Sequence, residues 1–126
     1  MLKKLKANNE NRRNLAKTYS GELTNKITVP HEEKWANHVY HLFTVRTEKR
    51  DLLKDYLLKN EIETGIHYPI PIHKQPLFKK YVKEKLPITE EICKTTLSLP
   101  MFPSLNKKQQ KYIITRVNNF FIGNHK

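Results

Sequence analysis

The chain has 126 residues, 37% of them apolar, and its 24 Lys and Arg against 12 Asp and Glu leave a formal charge of +12; that length holds one modest core and excludes several domains within it. No run approaches the roughly 20 apolar residues of a membrane span, residues 1–13 lack the apolar centre of a signal peptide, and the lone Cys93 excludes an internal disulfide and a Cys-rich zinc framework, so a cytoplasmic protein is expected. A charge of +12 also fits a nucleic-acid binder, but 19 of the cations are Lys and only five are Arg, whereas bidentate phosphate and base readout favours Arg, which makes nucleic acid the lesser reading.

In chain order, Leu15, Ala16, Tyr19 and Leu23 fall at helical spacing and predict a long helix over residues 2–25 with one narrow apolar stripe, frayed by Gly21 and Thr24-Asn25. Pro30 forbids continued helix, and Trp35 in the following connection is expected to anchor it by packing. Residues 38–46 are β-branched and aromatic without a turn residue, which predicts a strand buried on both faces. Thr47 is the expected N-cap of a helix carrying Leu53, Tyr56 and Leu57 and ending near Asn60. Residues 62–68 read as a second strand, stopped by Pro69 and Pro71, and three prolines within residues 69–76 make a stiff, extended loop. Pro87 with Glu90 and Glu91 suits the first turn of a further helix, in which Cys93 is expected as a small core residue. A short strand and turn over residues 97–103 follow. Asn106 and Gln109 form a capping-box pattern that opens a last helix with Tyr112, Ile113, Val117, Phe120 and Phe121 on its apolar face. Alternating helices and few, short strands allow an α/β or an α+β arrangement.

Among chemical signatures, GxGxxG, P-loop, HExxH and GxSxG are all absent, and three glycines, Gly21, Gly65 and Gly123, cannot build a phosphate cradle. His31, His38, His41, His67, His73 and His125 are supported by no Cys or carboxylate pattern that completes a ligand set, so no metal site is expected. Residues 64–73 differ in kind. His67, Tyr68 and His73 sit beside a proline-stiffened loop, so little ordering entropy remains to be lost on binding. This suits a polar small molecule such as a sugar or phosphate, while an ordinary strand end with satisfied His and Tyr side chains accounts for the same pattern.

Four segments carry a resemblance, in order: Arg12-Arg13-Asn-Leu-Ala-Lys-Thr-Tyr19, Val39-Tyr40-His41-Leu42-Phe43, the run from Glu63 to Pro76 that contains His67-Tyr68-Pro69-Ile70-Pro71-Ile72-His73, and Leu97-Ser-Leu99-Pro100-Met-Phe102-Pro103-Ser-Leu105. Together they cover nearly the whole chain, and they resemble the DegT/StrS family of pyridoxal-phosphate-dependent nucleotide-sugar aminotransferases. The resemblance is to the C-terminal part of that aspartate-aminotransferase-like, fold type I enzyme. It implies an α+β fold with a long N-terminal helix and a small, mainly antiparallel sheet flanked by helices, divided into a connecting helix and linker (residues 1–30) and a small domain (residues 31–126).

The family's large domain, which carries the Schiff-base lysine, the Asp pairing the pyridine nitrogen and most phosphate contacts, has no counterpart here. Pyridoxal phosphate is therefore expected for the parent family and not for this chain alone, and no catalytic residue is assigned. The resemblance implies substrate binding by His67 and Tyr68, facing a nucleotide-linked keto-sugar across a dimer interface, with His73 behind them. It also implies a homo-oligomer, a separately encoded large domain as one route to activity, and bare apolar surface that promotes self-association. Met1-Leu2-Lys3 falling within the connecting helix is expected of a start codon inside an older reading frame. The competing reading is a basic binding or regulatory module that kept the fold without the chemistry. One departure stands out: the family carries Gly-Ile where this chain has Glu61-Ile62, and Asn60 is the expected substitute for the left-handed helix end that Gly provides.

Overall fold

A computed structural model describes residues 2–78, 80–82 and 84–123. A 3-10 turn at Leu2–Lys4 leads into helix α1 (Leu5–Glu22), and strand β1 (Phe43–Arg46) and helix α2 (Arg50–Lys59) follow. After a 3-10 turn at Ile72–Lys74 come helix α3 (Pro87–Thr95), strand β2 (Thr96–Leu99) and helix α4 (Lys107–Ile122). The strands pair antiparallel, with Phe43 opposite Leu99 and Arg46 opposite Thr96. This is the expected α+β arrangement of helices around a small antiparallel sheet.

The helix stripes and the inner faces of the strands converge on one core. Tyr19, Phe43, Val45, Leu53, Leu57, Leu97 and Val117 are fully buried there, and the Tyr19 and Phe43 rings lie 4.9 Å apart. Burial of Tyr19 raises its phenol well above the usual range, and its hydroxyl donates to the Pro100 carbonyl at 3.0 Å. Gln110, buried on α4, donates to the Leu15 carbonyl at 2.7 Å and ties α4 to α1. The capping box forms as its sequence requires: the Gln109 N–H donates to Asn106 Oδ1 at 2.9 Å and the Asn106 N–H to Gln109 Oε1 at 3.0 Å.

Several expectations change. Helix α1 runs through Gly21, and Asn118 of α4 closes its end by accepting from the Thr24 N–H at 2.8 Å and donating to the Glu22 carbonyl at 2.9 Å. Of the predicted strand at 38–46 only Phe43–Arg46 forms, and Phe43 and Val45 are buried while Thr44 and Arg46 are half-buried. Residues 38–42 are instead a bent segment with Tyr40 at φ 48°. Their carbonyls serve guanidinium groups rather than a neighbouring strand: Arg12 donates to His41 at 2.8 Å and to Tyr40 at 3.3 Å, and Arg13 to His38 at 2.7 Å. Trp35 is no anchor, being 87% exposed. The connection is held by polar contacts, with Arg13 on Glu32 at 2.7 Å and the His38 N–H on Glu32 at 2.8 Å.

The N-cap of α2 is Lys49 and not Thr47, whose hydroxyl accepts from the Lys49 N–H at 3.3 Å. At the other end of α2 the left-handed residue is Glu61, at φ 59°, and not Asn60. The Ile62 N–H donates to Leu57 at 2.9 Å and the Glu61 N–H to Leu58 at 3.0 Å, a complete Schellman end with Glu where Gly is favoured. The predicted strand at 62–68 reduces to a single bridge between Gly65 and Ser98, because the prolines that follow supply no ladder donors. Cys93 is half-buried rather than a core residue, and α3 buries none of its side chains fully. Tyr112 faces the rim of α4, where its hydroxyl donates to the Asn60 carbonyl at 3.2 Å.

Candidate functional site

The segment after α2 is delivered to the middle of β2. The Gly65 N–H donates to the Ser98 carbonyl at 3.1 Å and the Ser98 N–H to the Gly65 carbonyl at 2.7 Å, so β2 is flanked by β1 on one edge and by this bridge on the other. Two residues on, the His67 imidazole turns back over Gly65. A Cβ at position 65 would come within 2.5 Å of His67 Cε1, which makes glycine the residue that admits the ring. His67 Nδ1 lies 2.9 Å from Ser98 Oγ. The Tyr68 ring meets the imidazole edge-on at 5.5 Å and is 71% exposed, and the peptide between the two residues is cis. His67 and Tyr68 thus stand together on an open surface, the imidazole tethered at one nitrogen and the phenol largely exposed.

His73 is placed differently. It is only 8% exposed, and its Nε2 donates to Glu90 Oε1 of α3 at 3.2 Å. Lys74 donates to the other Glu90 oxygen, and the Leu86 N–H reaches Oε1 at 3.3 Å. With Lys74, then His73, then the Leu86 amide favouring its charged form against the opposing cost of burial, Glu90 is held well below the usual carboxylate range, at about 2. The proline loop is therefore pinned to α3 through its 3-10 turn, and His73 is part of the pin. The structure brings His67 and Tyr68 together and gives His73 to the scaffold beside them.

His31 and His38 are engaged singly. His31 faces Glu33 at 3.6 Å, and His38 Nδ1 accepts from the Tyr40 N–H at 2.8 Å. Among the described residues no three His, Cys, Asp or Glu side chains are arranged around a common point; His125 lies outside them. No helix among the described residues is long and apolar enough to cross a membrane.

Two groups of functional interest carry no sequence signal beyond their type. Ser98 is one hydroxyl between Leu97 and Leu99, and only the bridge to Gly65 shows that it reaches His67. Arg12 and Arg13 are legible as a basic pair, but their carbonyl partners in the bent segment at 38–42 follow from its departure from strand geometry. The residues present do not suit an enclosed pyridoxal phosphate: no described lysine is buried, so none offers the desolvated amine that a Schiff-base lysine needs. An apolar groove of about 1010 Å³, lined among others by Pro100, Phe102, Leu105 and Tyr112, does not include His67, Tyr68 or His73.

The profile of the DegT/DnrJ/EryC1/StrS aminotransferase family matches residues 1–118. The chain is 38% identical over 118 residues to a protein of Geobacillus stearothermophilus described as a pleiotropic regulatory protein, covering 89% of this chain and 32% of that one. It is 35% identical over 113 residues to the dTDP-3-amino-3,6-dideoxy-alpha-D-galactopyranose transaminase of Aneurinibacillus thermoaerophilus, with 89% and 31% covered. Among solved structures it is similar to S. venezuelae DesV in complex with a ketimine intermediate, with a TM-score of 0.90 and 35% identity over 94% of this chain and 33% of that one. The chain spans about a third of the length of the relatives it matches.

Proposed function

This chain belongs to the DegT/DnrJ/EryC1/StrS aminotransferase family, and from that premise we propose that it is the C-terminal part of a pyridoxal-phosphate-dependent sugar aminotransferase acting on nucleotide-linked keto-sugars in polysaccharide or deoxysugar biosynthesis. Residues 1–30 serve as the connecting helix and linker and residues 31–126 as the small domain. The observation that carries the reading is the paired exposure of His67 and Tyr68 beside a loop pinned at His73, Lys74 and Glu90. His67 and Tyr68 hydrogen-bond the sugar or pyrophosphate oxygens, and His73 keeps the loop in place. The cofactor chemistry belongs to the remaining two thirds of such an enzyme, because the donor set here does not fit the cofactor, and this chain alone does not catalyse the transfer.

The exposed apolar side chains Tyr68, Ile70, Ile72, Leu77 and Ile88 support a partner over this face, either a large domain or a second copy in a homo-oligomer. The reading places the protein in the cytoplasm. Titrating the labelled chain with dTDP and following amide shifts tests the site. Perturbations centred on residues 64–73 that vanish in a His67→Ala, Tyr68→Phe variant are expected. Perturbations spread over the lysines of α1 and α4 and lost as salt rises would overturn this reading for that of a basic binding module, which the charge of +12 favours.

A further inference from the structure

Ser98 lies at the middle of β2 and is 5% exposed. Its N–H and C=O are both taken by Gly65, and on the other side of the strand it stands opposite Thr44 of β1. Among the described residues the hydroxyl has one partner, His67 Nδ1 at 2.9 Å. A buried O–H with nothing to donate to is far more costly than an oxygen lone pair with nothing to accept, so the direction of this hydrogen bond is decided by the serine and not by the exposed ring. We propose that Ser98 is the positioning residue of His67: its hydroxyl donates to Nδ1, and the neutral imidazole is thereby held with its proton on Nε2, as a hydrogen-bond donor toward an oxygen of the sugar nucleotide.

Gly65 completes the device. The Nδ1–Cε1–Nε2 edge of the ring lies over it, and a Cβ there would meet Cε1 at 2.5 Å, Nδ1 at 3.2 Å and Nε2 at 3.4 Å. A side chain at 65 therefore moves the ring off Ser98 while the backbone bridge, which uses only main-chain atoms, persists. The sequence Gly65-Ile66-His67 and the serine of β2 form one unit, in which the main chain of Ser98 fixes Gly65, the bare Cα of Gly65 makes room for the imidazole, and Oγ sets its tautomer. This assignment rests on the reading that His67 faces substrate, and it refines that reading by giving His67 the role of donor.

The test is the tautomer itself, read from the two ring nitrogen resonances of His67 in the full chain at alkaline pH, with the resonances assigned by their loss in His67→Gln. In the wild type, Nδ1 is expected at the position of an unprotonated nitrogen and Nε2 at that of a protonated one. In Ser98→Ala the separation falls toward that of an unconstrained imidazole, Ser98→Thr restores it, and Gly65→Ala abolishes it with the serine still present. A wild-type ring protonated at Nδ1, or nitrogens indifferent to Ser98→Ala and Gly65→Ala, overturns the proposal. Failure of the substrate reading shows separately, as a dTDP titration that bypasses residues 64–73 while the tautomer still responds to Ser98.

Discussion

The two halves of the molecule handle their apolar residues in opposite ways. Around β1, β2 and the inward faces of α2 and α4 the large side chains are sealed, and Phe43, Val45, Leu53, Leu57 and Leu97 lose essentially all contact with solvent. Along residues 68–88 the apolar side chains are as large but stand in water, with Tyr68, Ile72, Leu77, Tyr81 and Ile88 all more than 65% exposed. The first region is held by its own packing. The second is held by polar pins at its ends, the Ser98–His67 contact and the His73–Glu90–Lys74 cluster, and presents its apolar surface outward. A domain that must meet another domain keeps such a face bare, and a scaffold that must hold its shape alone does not.

That contrast can be broken most severely from the sealed side. Phe43→Ala empties the centre of the core and is expected to cost about 3–5 kcal/mol, read as a lowered urea midpoint with an unchanged slope. Arg12→Ala frees the carbonyls of Tyr40, His41 and Met101 and is expected to cost about 2 kcal/mol, in the range for hydrogen bonds to charged donors. A loss as small as that of an exposed lysine would show that the bent segment holds itself.

Glu61→Gly works in the other direction. Relief of a left-handed non-glycine residue outweighs the added freedom of the unfolded chain, so a gain of about 0.5–1 kcal/mol is expected, and a loss would mean that the Glu61 side chain contributes more than the backbone strain costs. On the open side, Ile88→Ser is expected to change unfolding by less than about 0.5 kcal/mol while reducing self-association measured by light scattering; an unchanged mass would remove the open face from the interface.

Acid sharpens the same comparison. Glu90 is held at about 2 in the folded chain against its ordinary 4.5, so its contribution is present above pH 4.5 and is lost as pH falls from there toward 2. The protection of the amides of residues 70–76, relative to their intrinsic exchange rates, should fall through that window before that of the sealed core, and Glu90→Gln should remove the pH dependence. Protection that falls in both regions together would show that the pin is not a separate unit.

The legibility of the sequence follows the same division. Helices α1, α2 and α4 were readable because repeating apolar residues at three-to-four spacing, and the Asn106–Gln109 box, are local patterns. The His67-Tyr68 pair was readable as a motif. The strand at 38–46 was over-read, because a run of β-branched and aromatic residues does not reveal that Arg12 and Arg13, far back in α1, take the carbonyls a neighbouring strand would use. The packing role expected of Trp35 failed for the same reason, since residue type sets what a side chain can bury and not whether a surface is there to meet it.

Helical periodicity and the Asn106–Gln109 box were enough to place the main helices, and the resemblance carried by four segments implied the α+β class and the family. The tertiary structure alone decided which residue takes the left-handed turn after α2, that His73 belongs to the scaffold with Glu90, and that Ser98 is the neighbour of His67. Each of these is a contact between residues distant in the chain, or a backbone choice such contacts enforce. Periodicity encodes which face of an element is apolar, whereas the partner of a lone hydroxyl or guanidinium is set only when the elements pack.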